Sequence, residues 1–341
     1  MEKLEIKYFG PIKEVEVVIR DINVFIGTAA SGKSLVAKLI SIFNVNALRL
    51  SPTMEGFHKL LADYNCDFEM RPGTWIRYEN NGFHLEVSGQ SIQTNYDSKI
   101  TCDGFNPIYI PAERMFFPTM SQSIFGLLIS NISLPKSLVN FGAKFEQARS
   151  SLKKYSVGFL PVTYEWDGNN DFVRISDEVR IKLSEASSGL QSVIPLILVM
   201  QFNTEEKKGG KNIFVIEEPE LNLYPSSQKD LVNYIIRRIN QSKDKIIITT
   251  HSPYLLTSID NLIQAKAVAD IHGHKDYRVK RIVSSPYWID FDRVSCYYFD
   301  SGKCRSTLDA ELGSIGPSNM DDVSNQLSDT FEKLLLLKYP S

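Results

Sequence analysis

Gly27-Thr28-Ala29-Ala30-Ser31-Gly32-Lys33-Ser34 stands between a continuous apolar run, Ile22 to Ile26, and a segment whose apolar residues Leu35, Leu39, Ile42 and Phe43 fall at helical spacing. A short unbroken apolar run suits a strand buried on both faces. The order is therefore strand, glycine loop, helix. Glycines let the backbone curl until successive N–H groups aim at phosphate oxygens, at the positive end of the helix that follows. The segment matches Gly-x-x-x-x-Gly-Lys-Ser in full, so Gly27 through Leu35 reads as an ATP phosphate cradle. Lys33 neutralises the β- and γ-phosphates and the Ser34 hydroxyl ligates Mg2+. The alternative is an ordinary glycine-bearing turn.

Three other segments place polar groups where this chemistry needs them. Phe214-Val-Ile-Glu217-Glu218-Pro219-Glu220 is an apolar strand ending in acids. Adjacent carboxylates repel one another unless a cation is near, so beside a phosphate loop Glu217 reads as metal-side acid and Glu218 as the group that polarises the attacking water. Ile246-Ile-Ile-Thr249-Thr250-His251-Ser252-Pro253 is a second such strand, and His251 can donate to a γ-phosphate. A lone histidine at a strand tip is otherwise a structural hydrogen-bonder. Ser187-Ser188-Gly189-Leu190-Gln191 opens an apolar helix, where a hydroxyl and free N–H groups make a second anion site or a plain N-cap.

The 341 residues bury a sizeable core, and a net charge of -2 leaves nucleic acid open as a partner without requiring it. The N-terminus has no secretion-signal pattern, and Val193 to Met200 and Leu334 to Leu337 are too short to span a bilayer. No membrane association is expected. Cys66, Cys102, Cys296 and Cys304 show no Cys-x-x-Cys spacing, which argues against zinc and disulfides and for the cytoplasm.

The pattern predicts strands over 4–8 and 15–19, a helix over 54–64, and hairpins turning at Asn80-Asn81-Gly82 and at Asp167 to Asn170. Helical stretches follow over 123–132 and 135–154. From Leu190 helix and strand alternate, and the tail reads as strands over 265–271, 278–283 and 294–299 before an amphipathic helix over 321–337. The expected fold is α/β, with residues 1–50 and 181–341 forming the core and 51–180 an inserted α/β lobe.

The ordered set of phosphate loop, Ser-Ser-Gly-x-Gln, Glu-Glu-Pro-Glu and Thr-His-Ser-Pro resembles the RecF/SMC-like branch of ABC ATPases. It is closer still to the small ATPases related to OLD proteins of bacterial anti-phage defence modules. Phe9-Gly10-Pro11-Ile12-Lys13 and Glu218-Pro-Glu-Leu-Asn-Leu-Tyr-Pro225 look like the same group. The resemblance covers about 1–50 and 180–335. It implies a mixed central sheet, an N-terminal antiparallel β-subdomain and a head-to-tail homodimer or higher oligomer. Each phosphate loop would then close its ATP against Ser188, Gly189 and Gln191 of the other copy, with Glu217 supporting magnesium, Glu218 as base and His251 as switch. Leu190, Glu217 and Tyr224 depart from the usual glycine, aspartate and aspartate, and the last two imply slow turnover. A nucleotide-dependent switch that controls a separate effector such as a nuclease, in defence or DNA repair, is the function implied. An ATP-bound scaffold with little turnover is the alternative.

Other features divide between two readings. Glu113, after the strand-like Ile108-Tyr-Ile, is either a second group near magnesium or part of a surface turn. Phe9 lies against adenine or in the core. Asp290-Phe-Asp292 resembles the paired acids of a Toprim nuclease but lacks the rest of that domain. Lys136, Lys144, Arg149, Lys153 and Lys154 mark a phosphate-binding face or a solvated helix.

Overall fold

The computed structural model describes residues 2–95, 104–120, 134–205, 211–272, 277–316, 328–335 and 338. Among them, an eleven-stranded mixed sheet organises the chain. Strands β1 (Glu2–Phe9), β2 (Ile12–Ile19) and β3 (Ile22–Gly27) lead into helix α1 (Lys33–Phe43). A hairpin of β4 (Trp75–Asn80) and β5 (Phe83–Ser88) extends to β6 (Ser91–Thr94), and β7 (Phe105–Ile110) follows. Helix α2 (Lys136–Ser151) precedes a four-stranded sheet of β8 (Lys154–Val157), β9 (Val162–Trp166), β10 (Asp171–Arg174) and β11 (Arg180–Lys182). The chain then alternates through α3 (Ser188–Glu205), β12 (Lys211–Glu217), α4 (Pro225–Gln241), β13 (Lys245–Thr250) and α5 (Pro253–His272). It continues through β14 (Val294–Asp300), β15 (Lys303–Ser306) and the small pair β16 (Leu308–Asp309) and β17 (Ser314–Ile315).

The large sheet runs β6-β5-β4-β1-β2-β15-β14-β3-β13-β12-β7. Its first five strands pair antiparallel, whereas β14, β3, β13, β12 and β7 are parallel neighbours. This parallel half is buried on both faces, which is why its strands read as continuous apolar runs. Val24, Phe214 and Ile248 point into one core with α3, α4 and α5, while Phe25, Val215 and Ile247 point into another with α1. The first core continues through Phe141 and Phe145 of α2 into Val162, Tyr164 and Val173 of the four-stranded sheet. The stretch 51–180 thus contributes β4 to β7 to the large sheet as well as a small sheet of its own.

Both expected hairpins form. Asn81 and Gly82 have φ of 46° and 88°, the left-handed pair that matches strand twist in a two-residue turn. Asp167 Oδ1 accepts the Asn169 and Asn170 N–H groups at 2.9 and 2.8 Å. Two expected strands are helical instead. Residues 265–271 are the last turns of α5, where Ala265 and Ala269 lie four apart on the buried side, and alanine favours the helix. Residues 278–283 coincide with the short helix Tyr277–Ile282, whose Val279 packs on Trp288 and both alanines. The helix expected over 123–132 lies outside the described residues. Of that expected over 321–337, residues 328–335 are described and helical. No helix among the described residues is long and apolar enough to cross a membrane. Cys66, Cys296 and Cys304 are free thiols.

Candidate active site

Parallel strands expose their carboxyl ends along one edge of a sheet, and ligands gather there. Here that edge carries the loop after β3, the acids after β12, His251 after β13 and Glu113 after β7. β13 lies between the phosphate-loop strand and the acid strand.

Gly27 has φ 147°, and a Cβ there would overlap the Phe299 carbonyl of β14. Glycine therefore lets the loop leave between two strands. The Thr28 N–H donates to that same carbonyl at 3.2 Å, and its hydroxyl to Asp300 at 3.2 Å. Ala30 and Gly32 are also left-handed, with φ of 57° and 105°, which curls residues 28–32 into a tight loop. Ala29 and Ala30 are exposed, and the Ser31 hydroxyl closes the turn on the Thr28 carbonyl at 2.7 Å. Lys33 Nζ reaches into the loop and donates to the Gly27 and Thr28 carbonyls at 2.9 and 2.7 Å. Burial holds its ammonium down to about 8, against the pull of Glu218 and Glu220. The first α1 bond runs from Val36 N–H to the Gly32 carbonyl, so the N–H groups of Lys33, Ser34 and Leu35 precede it at the positive end of the helix. The Leu35 side chain itself is core.

Glu217 is buried, and burial pushes its carboxyl up against the opposing effects of Lys38, Tyr109 and Ser34. Its Oε1 has no hydrogen-bond partner among the described residues. Glu113 is exposed on the turn Ala112–Phe116, close enough to raise Glu217 electrostatically. An orphaned buried carboxylate oxygen beside a serine hydroxyl and a second glutamate is a donor set that suits magnesium, which keeps water and phosphate among its ligands. Among the described residues no group of three or more His, Cys, Asp or Glu converges, so this is no closed protein cage.

Glu218 adopts φ 43°, an uncommon conformation for a side chain of its size. Its N–H donates to the Thr249 carbonyl at 2.9 Å, and its half-buried carboxylate faces His251. Glu220 accepts the Thr250 hydroxyl and, at 2.9 Å, the His251 N–H; burial raises its carboxyl. Both Glu220 and Arg114 were passed over by the sequence reading, although the Glu-Glu-Pro-Glu spacing marks the first. Arg114 is fully buried and held down to about 10 by burial, with Glu220, Glu218, Glu217 and Glu113 opposing.

At the start of α3, on a different element from the phosphate loop, Ser188 is exposed and Gly189 is buried. A Cβ on Gly189 would meet the Asn222 carbonyl at 2.7 Å, in the loop that follows the acids. The Gln191 amide donates to the Ser184 and Ala186 carbonyls at 3.1 and 2.8 Å, where it steadies the turn that carries Ser188.

Phe9, the Asp290 and Asp292 pair and three residues of the basic stretch have structural partners. Phe9 is core, edge-on to Phe68 at 5.8 Å. Asp290 pairs with Lys266 at 3.0 Å and the Asp292 carbonyl accepts Arg20 at 2.8 Å, both at the amino end of β14, away from the phosphate loop. On the basic stretch, Lys136, Arg149 and Lys154 pair with Asp63, Asp171 and Glu165 at 3.3, 3.0 and 3.5 Å.

Strand order, phosphate loop, paired glutamates and the histidine on the intervening strand give the arrangement of a P-loop nucleotide-binding fold. A family model described as an AAA ATPase domain matches residues 119–256, which span α3 and the acid and histidine strands. No curated protein matches the chain. Among solved structures it is similar to an SMC head bound to the C-terminal winged-helix domain of ScpA, at 13% identity over 89% of this chain and 95% of that one, TM-score 0.48. The recombination mediator RecF gives 10% over 89% and 97%, TM-score 0.44. An ATP-binding cassette of an ABC transporter in its ADP conformation gives 14% over 89% and 90%, TM-score 0.39.

Proposed function

We propose that the chain binds and hydrolyses ATP, and that two copies close head to tail so that Ser188 and Gly189 of each complete the other's site. The observation that supports this best is the gathering of Lys33, Ser34, Glu217, Glu218 and His251 along one sheet edge, at and just beyond the carboxyl ends of three neighbouring parallel strands. Loop N–H groups and Lys33 hold the β- and γ-phosphates, with Lys33 exchanging its carbonyl partners for phosphate oxygens. Glu218 takes a proton from water as the water oxygen bonds to the γ-phosphorus and the bond from phosphorus to the β,γ-bridging oxygen breaks, leaving ADP with the electron pair. His251 donates toward the γ-phosphate. Ser34 and Glu217, with Glu113 nearby, would hold Mg2+, which neutralises phosphate charge when bound.

The ordered motifs support a switch that controls a separate effector, a nuclease being the class we favour, in anti-phage defence or DNA repair. Phosphate release by the purified chain, compared with Lys33→Ala and Glu218→Gln, tests the ATPase. ATP-dependent dimerisation, measured by light scattering, tests the pairing. Pull-down with ATP-loaded Glu218→Gln from native cells tests the effector: recovery of no specific protein in the ATP-bound state, against nucleotide-free protein, would count against it.

A further inference from the structure

Arg114 is buried completely, and among the described residues its guanidinium makes four hydrogen bonds, all to main-chain carbonyls. Nε donates to Ser192 at 3.1 Å, Nη1 to Pro111 at 3.0 Å and Glu217 at 2.7 Å, and Nη2 to Glu218 at 2.8 Å. Three pieces of chain meet on this one cation: the turn after β7, the first turns of α3, and the acid pair that ends β12. A buried guanidinium is tolerated where its donors are matched. An apolar side chain would fill the same space without desolvating a charge, so this position calls for the donors themselves.

In an extended strand successive carbonyls point to opposite sides. Arg114 nevertheless takes the carbonyls of two consecutive residues, and the left-handed φ of 43° at Glu218 is what turns them toward one group. Holding both carbonyls therefore favours the conformation that presents the Glu218 carboxylate to His251. The bond to Ser192 ties α3 to that arrangement a few residues beyond Ser188 and Gly189. A neighbouring contact joins the same parts, since Asn222, against which Gly189 packs, donates to Met115 Sδ at 3.6 Å.

The geometry points to Arg114 as a positioning residue that fixes the left-handed Glu218 in its own ATP site and links that site to the α3 terminus offered to the second copy. This rests on the reading of Glu218 as the base and of the dimer as head to tail. A lysine at 114 keeps the charge but cannot span these carbonyls, and a methionine keeps the bulk without donors.

Steady-state ATPase and single-chain ATP binding are to be compared for wild type, Arg114→Lys and Arg114→Met. ATP affinity and KM are expected to stay within about twofold while kcat falls by roughly tenfold to a hundredfold in both variants. Mixed dimers carrying Lys33→Ala on one chain confine turnover to a single site. Arg114→Lys is then placed either on the chain that supplies the working phosphate loop or on the chain that supplies only α3, and both placements should slow that site. Wild-type kcat in the variants, a rise in KM alone, or loss of ATP binding in both variants would overturn the assignment, the last by marking Arg114 as a determinant of folding. Slowing from one placement alone would overturn the link between sites. If wild type itself fails to hydrolyse ATP, or Glu218→Gln matches it, the reading of the base has failed instead.

Discussion

His251 Nε2 lies 3.6 Å from Glu218 Oε1, and the two side chains reach toward each other from the ends of adjacent parallel strands. Neither backbone is loose. Glu218 is tied by its N–H to Thr249, and His251 by its N–H to Glu220. The side chains are about 35% and 41% exposed, so a group entering along the phosphate loop meets both. A carboxylate and an imidazole held this close form one unit, and removing one should alter what the other does.

Glu218→Gln retains shape and hydrogen-bonding capacity but cannot accept the proton. ATP binding should persist while phosphate release falls by on the order of a hundredfold or more. Light scattering should then show a long-lived ATP-bound dimer. Hydrolysis at the wild-type rate would place the base elsewhere.

Lys33 titrates at about 8 in the fold against an ordinary 10.5. Between these values the unfolded chain binds more protons, so this group adds stability as pH rises through that window and penalises the fold below it. Bound phosphate favours the ammonium, so ATP binding should draw in a proton wherever Lys33 was neutral. Calorimetry in buffers of different ionisation enthalpy should show uptake that is small near pH 7 and approaches about one proton near pH 9. A flat profile would contradict the position assigned to Lys33. Lys33→Ala should lose nucleotide binding in a chain that still folds.

Ser188→Arg places a long cation where the second copy's γ-phosphate would lie. Single-chain ATP affinity should be unchanged and turnover should drop by at least about tenfold. Mixing with Lys33→Ala should restore up to about a quarter of wild-type activity if mixed dimers form at random and one composite site works alone. Full activity of Ser188→Arg by itself would refute contact between copies through this loop.

Gly27→Ala should act on the fold more than on the nucleotide. Its φ of 147° and the Phe299 carbonyl leave no room for a Cβ. A loss of upwards of about 3 kcal/mol in a denaturant melt without nucleotide is expected.

The parts of this molecule that are local in sequence were legible there. Ile22 to Ile26, Phe214 to Ile216 and Ile246 to Ile248 announce strands because both faces are buried, and the polar residues at their ends mark the edge where the site lies. Residues 265–271 misled because Ala-Lys-Ala-Val-Ala-Asp-Ile alternates like a strand, while its place in α5 depends on packing against Val279 and Trp288. Arg114 was hidden for a different reason. Its partners are carbonyls of Pro111, Ser192, Glu217 and Glu218, and a carbonyl leaves no mark on the residue types around it. The sheet order was equally hidden, since β14 joins β3 across more than half the chain and a single pair, Lys303 with Glu14, attaches β15 to β2.

The outermost strand of the parallel half carries Pro107 at its middle, opposite Ile213 of β12. Proline has no N–H, so within sheets it is confined to edges and bulges. A row of free donors and acceptors on an outer strand otherwise invites another chain to zip on and grow without limit. Pro107 takes one donor out of that row. Open-ended stacking by strand addition is discouraged on this flank.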